Sequence, residues 1–111
     1  MLLMRKVFFE AIRSGVKTTT LRYWRRRMVK PGSLQRIPGL GKVRIDEAAC
    51  VEIGDLTDAD AQADGFIDLK ALRTALHDLY PPARRKGRKL YLVRFTLEKD
   101  GKEGSGKGPR S

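Results

Sequence analysis

Lys17-Thr18-Thr19-Thr20-Leu21-Arg22 is the stretch on which the fold turns. Three β-branched residues in succession lose side-chain freedom in a helix and pack well on a pleated surface, so the segment reads as a strand. The residues before it keep a different period. Met4, Val7, Phe8, Ala11 and Ile12 recur at three- and four-residue spacing, which predicts a helix with one buried stripe, and Gly15 supplies a left-handed stop. Alternation along the strand would set Thr18, Thr20 and Arg22 on one face and Thr19 and Leu21 on the other. Two hydroxyls and a guanidinium side by side suit a planar, oxygen-rich ligand, although an exposed strand with ordinary surface threonines has the same pattern. Lys17 joins Thr20 only if it belongs to the turn and not to the strand.

Downstream the chain becomes strongly basic. Arg22, Arg25, Arg26, Arg27 and Lys30 are interleaved with Tyr23 and Trp24, and a second run follows at Arg84, Arg85, Lys86, Arg88 and Lys89. Guanidinium groups pair with phosphate oxygens and aromatic faces stack on bases, so this composition is that of a single-stranded RNA contact. A tryptophan on an exposed loop would favour that reading over a merely solvated charged run. The net charge of +11 on 111 residues predicts polyanion partners, nucleic acid first and an anionic membrane surface second. Arginine-rich genome composition would give the same excess.

The single cysteine, Cys50, excludes an intrachain disulfide, and with one histidine, His77, a Cys- or His-based metal centre is not expected. No metal or cofactor is predicted. Met1 to Met4 is apolar but meets Arg5-Lys6 at once, too short for a signal-peptide core, and no apolar run approaches a membrane span. The expectation is a cytoplasmic protein without membrane contact and, in the absence of any oligomer signal, a monomer.

The rest of the chain supplies a frame. Pro31-Gly32-Ser33 and Pro38-Gly39 are turns, and Gly39-Leu40-Gly41 lacks the Lys-Ser/Thr of a phosphate loop. From Lys42 to Ile53 the apolar positions Val43, Ile45, Ala49, Val51 and Ile53 alternate, with Glu47 out of place and a bulge or break near Asp46-Glu47 as the simplest cause. Thr57 or Asp58 caps a short acidic helix ending at Gly65. Asp68 caps a second, with Leu69, Leu72, Leu76, Leu79 and Tyr80 as its buried stripe and His77 facing solvent. Tyr91, Val93, Phe95 and Leu97 line the buried face of a closing strand. One domain over 1–98 and a disordered basic tail over 99–111 are expected. The class is α+β, a small, partly open antiparallel β-barrel with flanking helices.

Gly15-Val16-Lys17-Thr18-Thr19-Thr20-Leu21-Arg22 resembles the G-x-K-x-x-[E/T]-x-R signature of the ASCH family in the PUA-like superfamily. The resemblance extends through Pro31-Gly32, Asp60-Ala61, Asp64-Gly65-Phe66, Asp78-Leu79-Tyr80-Pro81 and the strand from Leu90 to Leu97. It implies a PUA-like barrel with a cleft floored by Lys17 to Arg22 that accepts RNA or a modified nucleoside. Lys17 and Arg22 would meet phosphate or base edges, Thr18 would share the floor, and Tyr23, Trp24, Arg25, Arg26, Arg27, Arg84, Arg85 and Lys86 would track the backbone. Binding is the leading expectation.

The alternative is catalysis. The K-T-x-T-x-R variant present here is similar to that of small ASCH amidohydrolases that remove the acetyl group of 4-acetylcytidine. That similarity implies Lys17 and Thr20 as catalytic residues, with Asp64 where the family has glutamate. A threonine hydroxyl needs a neighbour to take its proton, and a desolvated lysine can do so. A third class, a ribonuclease or ribosome-associated protein, has only Lys17, Asp64 and Tyr80 to offer as acid–base groups.

Overall fold

The computed structural model describes residues 1–98, and the tail expected over 99–111 lies outside them. Four strands, β1 (Thr19–Trp24), β2 (Leu34–Ile37), β3 (Gly41–Cys50) and β4 (Lys89–Leu97), form one antiparallel sheet in the order β1-β4-β3-β2. Four helices accompany it: α1 (Phe9–Arg13), α2 (Asp58–Ala63), α3 (Leu69–Leu79) and α4 (Pro82–Arg85). The architecture is α+β, an open antiparallel sheet with helices packed against it. The sheet does not close on itself, so β1 and β2 are free edges. The first residues span the gap between them: Leu2 N–H donates to Arg36 O on β2 at 2.8 Å, and Leu3 O accepts from Arg22 Nη2 on β1 at 2.6 Å.

Both faces of the sheet are covered. On one lie Val43, Ile45, Ala48, Val93 and Phe95 with Phe9 and Ile12 of α1. On the other lie Leu21 and Leu90 with Ala61 of α2 and Leu72 and Leu76 of α3. Strict alternation along β3 would have kept Ala49 and Val51 with Val43 and Ile45. A bulge between Ile45 and Glu47 shifts the register against β4 by one residue. Ala48 therefore continues the first core, while Val51 packs on the second. β4 is likewise apolar on both sides, with Leu90 and Leu92 meeting the helices in addition to the expected Val93 and Phe95.

The N-terminal helix is shorter than its periodicity predicts. A 3₁₀ turn at Lys6–Phe8 precedes α1, Val7 is exposed, and the buried positions are Phe9 and Ile12. β2 carries too little pattern to be read from sequence: it is four residues long, and a three-residue loop centred on Gly39 (φ 86°) joins it to β3. The caps follow the sequence. Thr57 and Asp60 form a reciprocal capping box on α2, and Asp68 accepts from Ala71 N–H on α3.

Candidate active site at the open edge of the sheet

The turn between α1 and β1 is tied down on two sides. Lys17 N–H donates to Ala11 O at 2.9 Å, and Thr18 N–H donates to Ala63 O at the end of α2 at 2.8 Å. Regular strand begins only at Thr19, so Lys17 belongs to the turn. That frees it from the alternation that would have set it opposite Thr20. Its side chain runs under Gly65, whose φ of 97° continues the chain after Asp64, the C-cap of α2. There Lys17 Nζ donates to the main-chain carbonyl of Asp64 at 2.6 Å and lies 3.4 Å from its Oδ2. The Phe8 ring covers the ammonium, 4.6 Å from ring centre to nitrogen. Thr19, expected on the opposite face, donates from Oγ1 to Asp64 Oδ1 at 3.0 Å and so orients the carboxylate.

Lys17, Thr19, Thr20 and Asp64 are the four buried polar or charged side chains among the described residues. Burial pushes Lys17 down from its ordinary value; Asp64 opposes the shift and Arg22 adds to it. Burial pushes Asp64 up against the pull of Lys17, the Thr19 hydrogen bond and Arg22. Both groups are thus moved toward their neutral forms. Arg22 Nε donates to Thr20 Oγ1 at 3.0 Å, and its Nη2 is held by the Leu3 carbonyl. The threonine oxygen therefore receives a cationic donor while its own proton stays available.

These groups line one cavity of about 330 Å³. Its polar floor is Lys17, Thr20, Arg22 and Asp64. Its walls are the N-terminal segment (Leu3, Met4, Phe8) on one side and α3 with Tyr80 on the other. The volume lies within the range of small-molecule sites.

The remaining predicted residues are dispersed. Thr18 is outside the cavity lining. Tyr23 packs edge-on to Tyr80 on the helix-covered face, 5.2 Å between centroids, and with Arg85 lines a separate hollow. Trp24 is not on an exposed loop: it lies on β1, half-buried against the first core, with its ring 5.7 Å from Tyr91. Trp24 is thus half-buried and not fully exposed, and it lines the same groove as Arg25 and Arg26. Arg25 and Arg26 with Arg88 line a shallow groove that meets the cavity at Leu3 and Arg22, and its lining contains no acidic residue. Arg27, Arg84 and Lys86 are exposed outside all three of these depressions; Arg84 lies over Tyr80 and donates to Leu79 O. Sequence reasoning missed Thr19, Phe8 and Leu3. The first was hidden by strand parity, and the other two contribute a ring and a carbonyl that no motif encodes. Among the described residues, no group of His, Cys, Asp or Glu side chains is assembled that could hold a metal ion, and no helix is long and apolar enough to cross a membrane.

No family model matches the sequence, and no curated protein does. Solved structures do match in fold. The ASCH domain from Lactobacillus crispatus JV V101 superposes with a TM-score of 0.69 at 16% identity, over 82% of this chain and 70% of that one. The hypothetical protein PH0355 gives 0.73 at 17% identity, over 86% and 95%. Protein EF3133 from Enterococcus faecalis V583, of the family DUF984, gives 0.59 at 18% identity, over 82% and 69%. The fold is ASCH-like.

Proposed function

We propose that the cavity binds a modified nucleoside and hydrolyses an amide on its base, with 4-acetylcytidine as the type of substrate. The observation that carries this reading is the gathering of Lys17, Thr20 and Asp64, all nearly withdrawn from solvent, on the floor of one cavity. It also rests on the similarity of Lys17 to Arg22 to the amidohydrolase signature. Catalysis moves ahead of simple binding because buried, pKa-shifted groups around a small cavity are costly to maintain and suit proton transfer.

The chemistry is read from the groups that share the cavity floor, where Lys17 and Thr20 are neighbours in the lining and are held separately by Asp64 and Arg22. Neutral Lys17 takes the Thr20 hydroxyl proton as Oγ1 attacks the acyl carbon, and the tetrahedral oxyanion forms beside the Arg22 guanidinium. Collapse breaks the C–N bond, and the Lys17 ammonium returns the proton to the departing amine. Water then cleaves the threonine ester, losing a proton to Lys17, to release the carboxylic acid and restore the hydroxyl. Asp64 positions the lysine through its carbonyl and carboxylate. Thr19 fixes the orientation of the carboxylate by donating to its other oxygen.

The test is turnover of free 4-acetylcytidine by the intact chain, followed by release of cytidine and acetate. Activity lost in Thr20→Ala supports the reading; no turnover by wild-type protein at micromolar enzyme removes it.

RNA binding without hydrolysis is the second reading. It is favoured by the acid-free groove of Arg25, Arg26 and Arg88, which continues from the cavity at Arg22.

A further inference from the structure

The hydrogen-bond parity of β1 leaves one residue's backbone unused at the cavity. Phe95 N–H donates to Thr18 O at 2.9 Å, and the register pairs Thr20 with Val93, Leu21 with Leu92 and Arg22 with Tyr91. In an antiparallel ladder the residues bonded to the partner alternate, so Thr20 and Arg22 bond to β4 and Leu21 does not. The far side of β4 agrees. Val51 N–H donates to Leu90 O, and the same alternation commits Leu92 to Ala49 on β3. The N–H and C=O of Leu21 therefore point off the free edge of the sheet. At Tyr23, which has the same parity, the outward carbonyl accepts from Arg88 Nη1 at 3.5 Å. At Leu21 neither group has a hydrogen-bond partner among the described residues.

Leu21 is only 5% exposed and lines the cavity between Thr20 and Leu76. Backbone donors and acceptors that are withdrawn from bulk water and unpaired are rare in folded proteins, because each costs the loss of its solvation. Here they sit beside one another, a donor next to an acceptor in the plane of the sheet. We infer that the Leu21 N–H and C=O read the base edge of the ligand, pairing with an adjacent ring-nitrogen acceptor and exocyclic N–H donor. A cytosine acylated on its exocyclic nitrogen presents that pair on its Watson–Crick edge, with N3 accepting from Leu21 N–H and the amide N–H donating to Leu21 O. The substrate class is thus narrowed to planar heterocycles with a neighbouring acceptor and donor. The carbonyl under attack projects from the same nitrogen that Leu21 holds.

This inference rests on the cavity being a nucleoside site, and the experiment separates the two. 4-Acetylcytidine and its 3-deaza analogue, which lacks the ring acceptor, are titrated into ¹⁵N-labelled protein. The expected result is a large Leu21 amide shift with 4-acetylcytidine and about tenfold weaker binding of the deaza analogue. Replacing the Leu21 amide by an ester, through the α-hydroxy analogue of leucine, removes the N–H and should weaken 4-acetylcytidine to a similar degree while leaving the deaza analogue unaffected. Thr20-dependent turnover with an unmoved Leu21 amide and equal affinity for both ligands would overturn the inference and leave the proposed function standing. No binding of either nucleoside overturns both.

Discussion

Lys17 Nζ lies 2.6 Å from the main-chain oxygen of Asp64 and 3.4 Å from its carboxylate, so a single residue holds the lysine by two different groups. Burial lowers the lysine and the carboxylate partly restores it. Titration of the Lys17 side chain by NMR should therefore show a midpoint below 10.5, the usual lysine value. In Asp64→Asn, where the restoring charge is gone, the midpoint should fall further. Hydrolysis of 4-acetylcytidine should rise with pH through the same midpoint in the wild type, since the neutral amine is the base.

The same pair sets a pH dependence of stability. Lys17 is lowered on folding, so the unfolded chain binds more protons between the folded midpoint and 10.5, and this contribution to stability grows as pH rises through that window. Asp64 is raised, so its contribution shrinks as pH climbs from 3.8 to its folded midpoint. Lys17→Met, which leaves a buried carboxylate alone, should cost about 3 kcal/mol near neutral pH, and Lys17→Met with Asp64→Leu should recover most of that. Urea unfolding across pH measures both, and the double variant should show the flatter profile.

Thr20→Ala should reduce hydrolysis by on the order of a thousandfold or more, as expected for loss of a nucleophile. Thr20→Ser keeps the oxygen and should retain a measurable fraction of activity. Mass spectrometry of the quenched wild-type reaction should find the acyl group on the peptide containing Thr20.

Arg25→Ala with Arg26→Ala tests the groove. If both arginines meet phosphates, the slope of log affinity against log salt for single-stranded RNA should fall in magnitude by about 1.4, and affinity should drop without regard to sequence. An unchanged slope would remove the groove from any RNA contact.

Gly65→Ala tests the corner that brings Asp64 over Lys17. The added methyl group would find room, with the nearest Lys17 carbons 3.6 Å away. The cost is in the backbone at φ 97° and should be about 1–2 kcal/mol by urea unfolding.

The amphipathic stripe of α3 (except for Leu79, which the structure leaves exposed), its Asp68 cap and the strand after Gly15 were legible because each carries its own period or terminal signal. So was the irregularity at Glu47, a charge where alternation demanded a hydrocarbon. Its consequence for Ala48, Ala49 and Val51 was not, because a bulge moves every later side chain and the sequence does not say by how much. At the site, Lys17, Thr20 and Asp64 came from a resemblance. The long-range bonds that hold them, Thr19 to Asp64 and Arg22 to Leu3, join residues far apart in the chain and follow only from the packed fold. Trp24 shows the opposite failure: its basic neighbours suggested a loop, whereas strand pairing with Lys89 carries it onto the sheet.

The irregularity in β3 lets one ribbon serve two interiors, feeding Val43 and Ile45 to one side and Val51 to the other. What matters at Asp46 is then less the kind of side chain than its place outside the ladder. An aspartate exchanged for another polar group is a local event. Deleting it would straighten the ribbon and still leave Glu47 opposite Arg94 and Val51 in its own interior, whereas keeping it and drawing it into the ladder opposite Arg94 would turn the remainder over and send Val51 into the wrong interior.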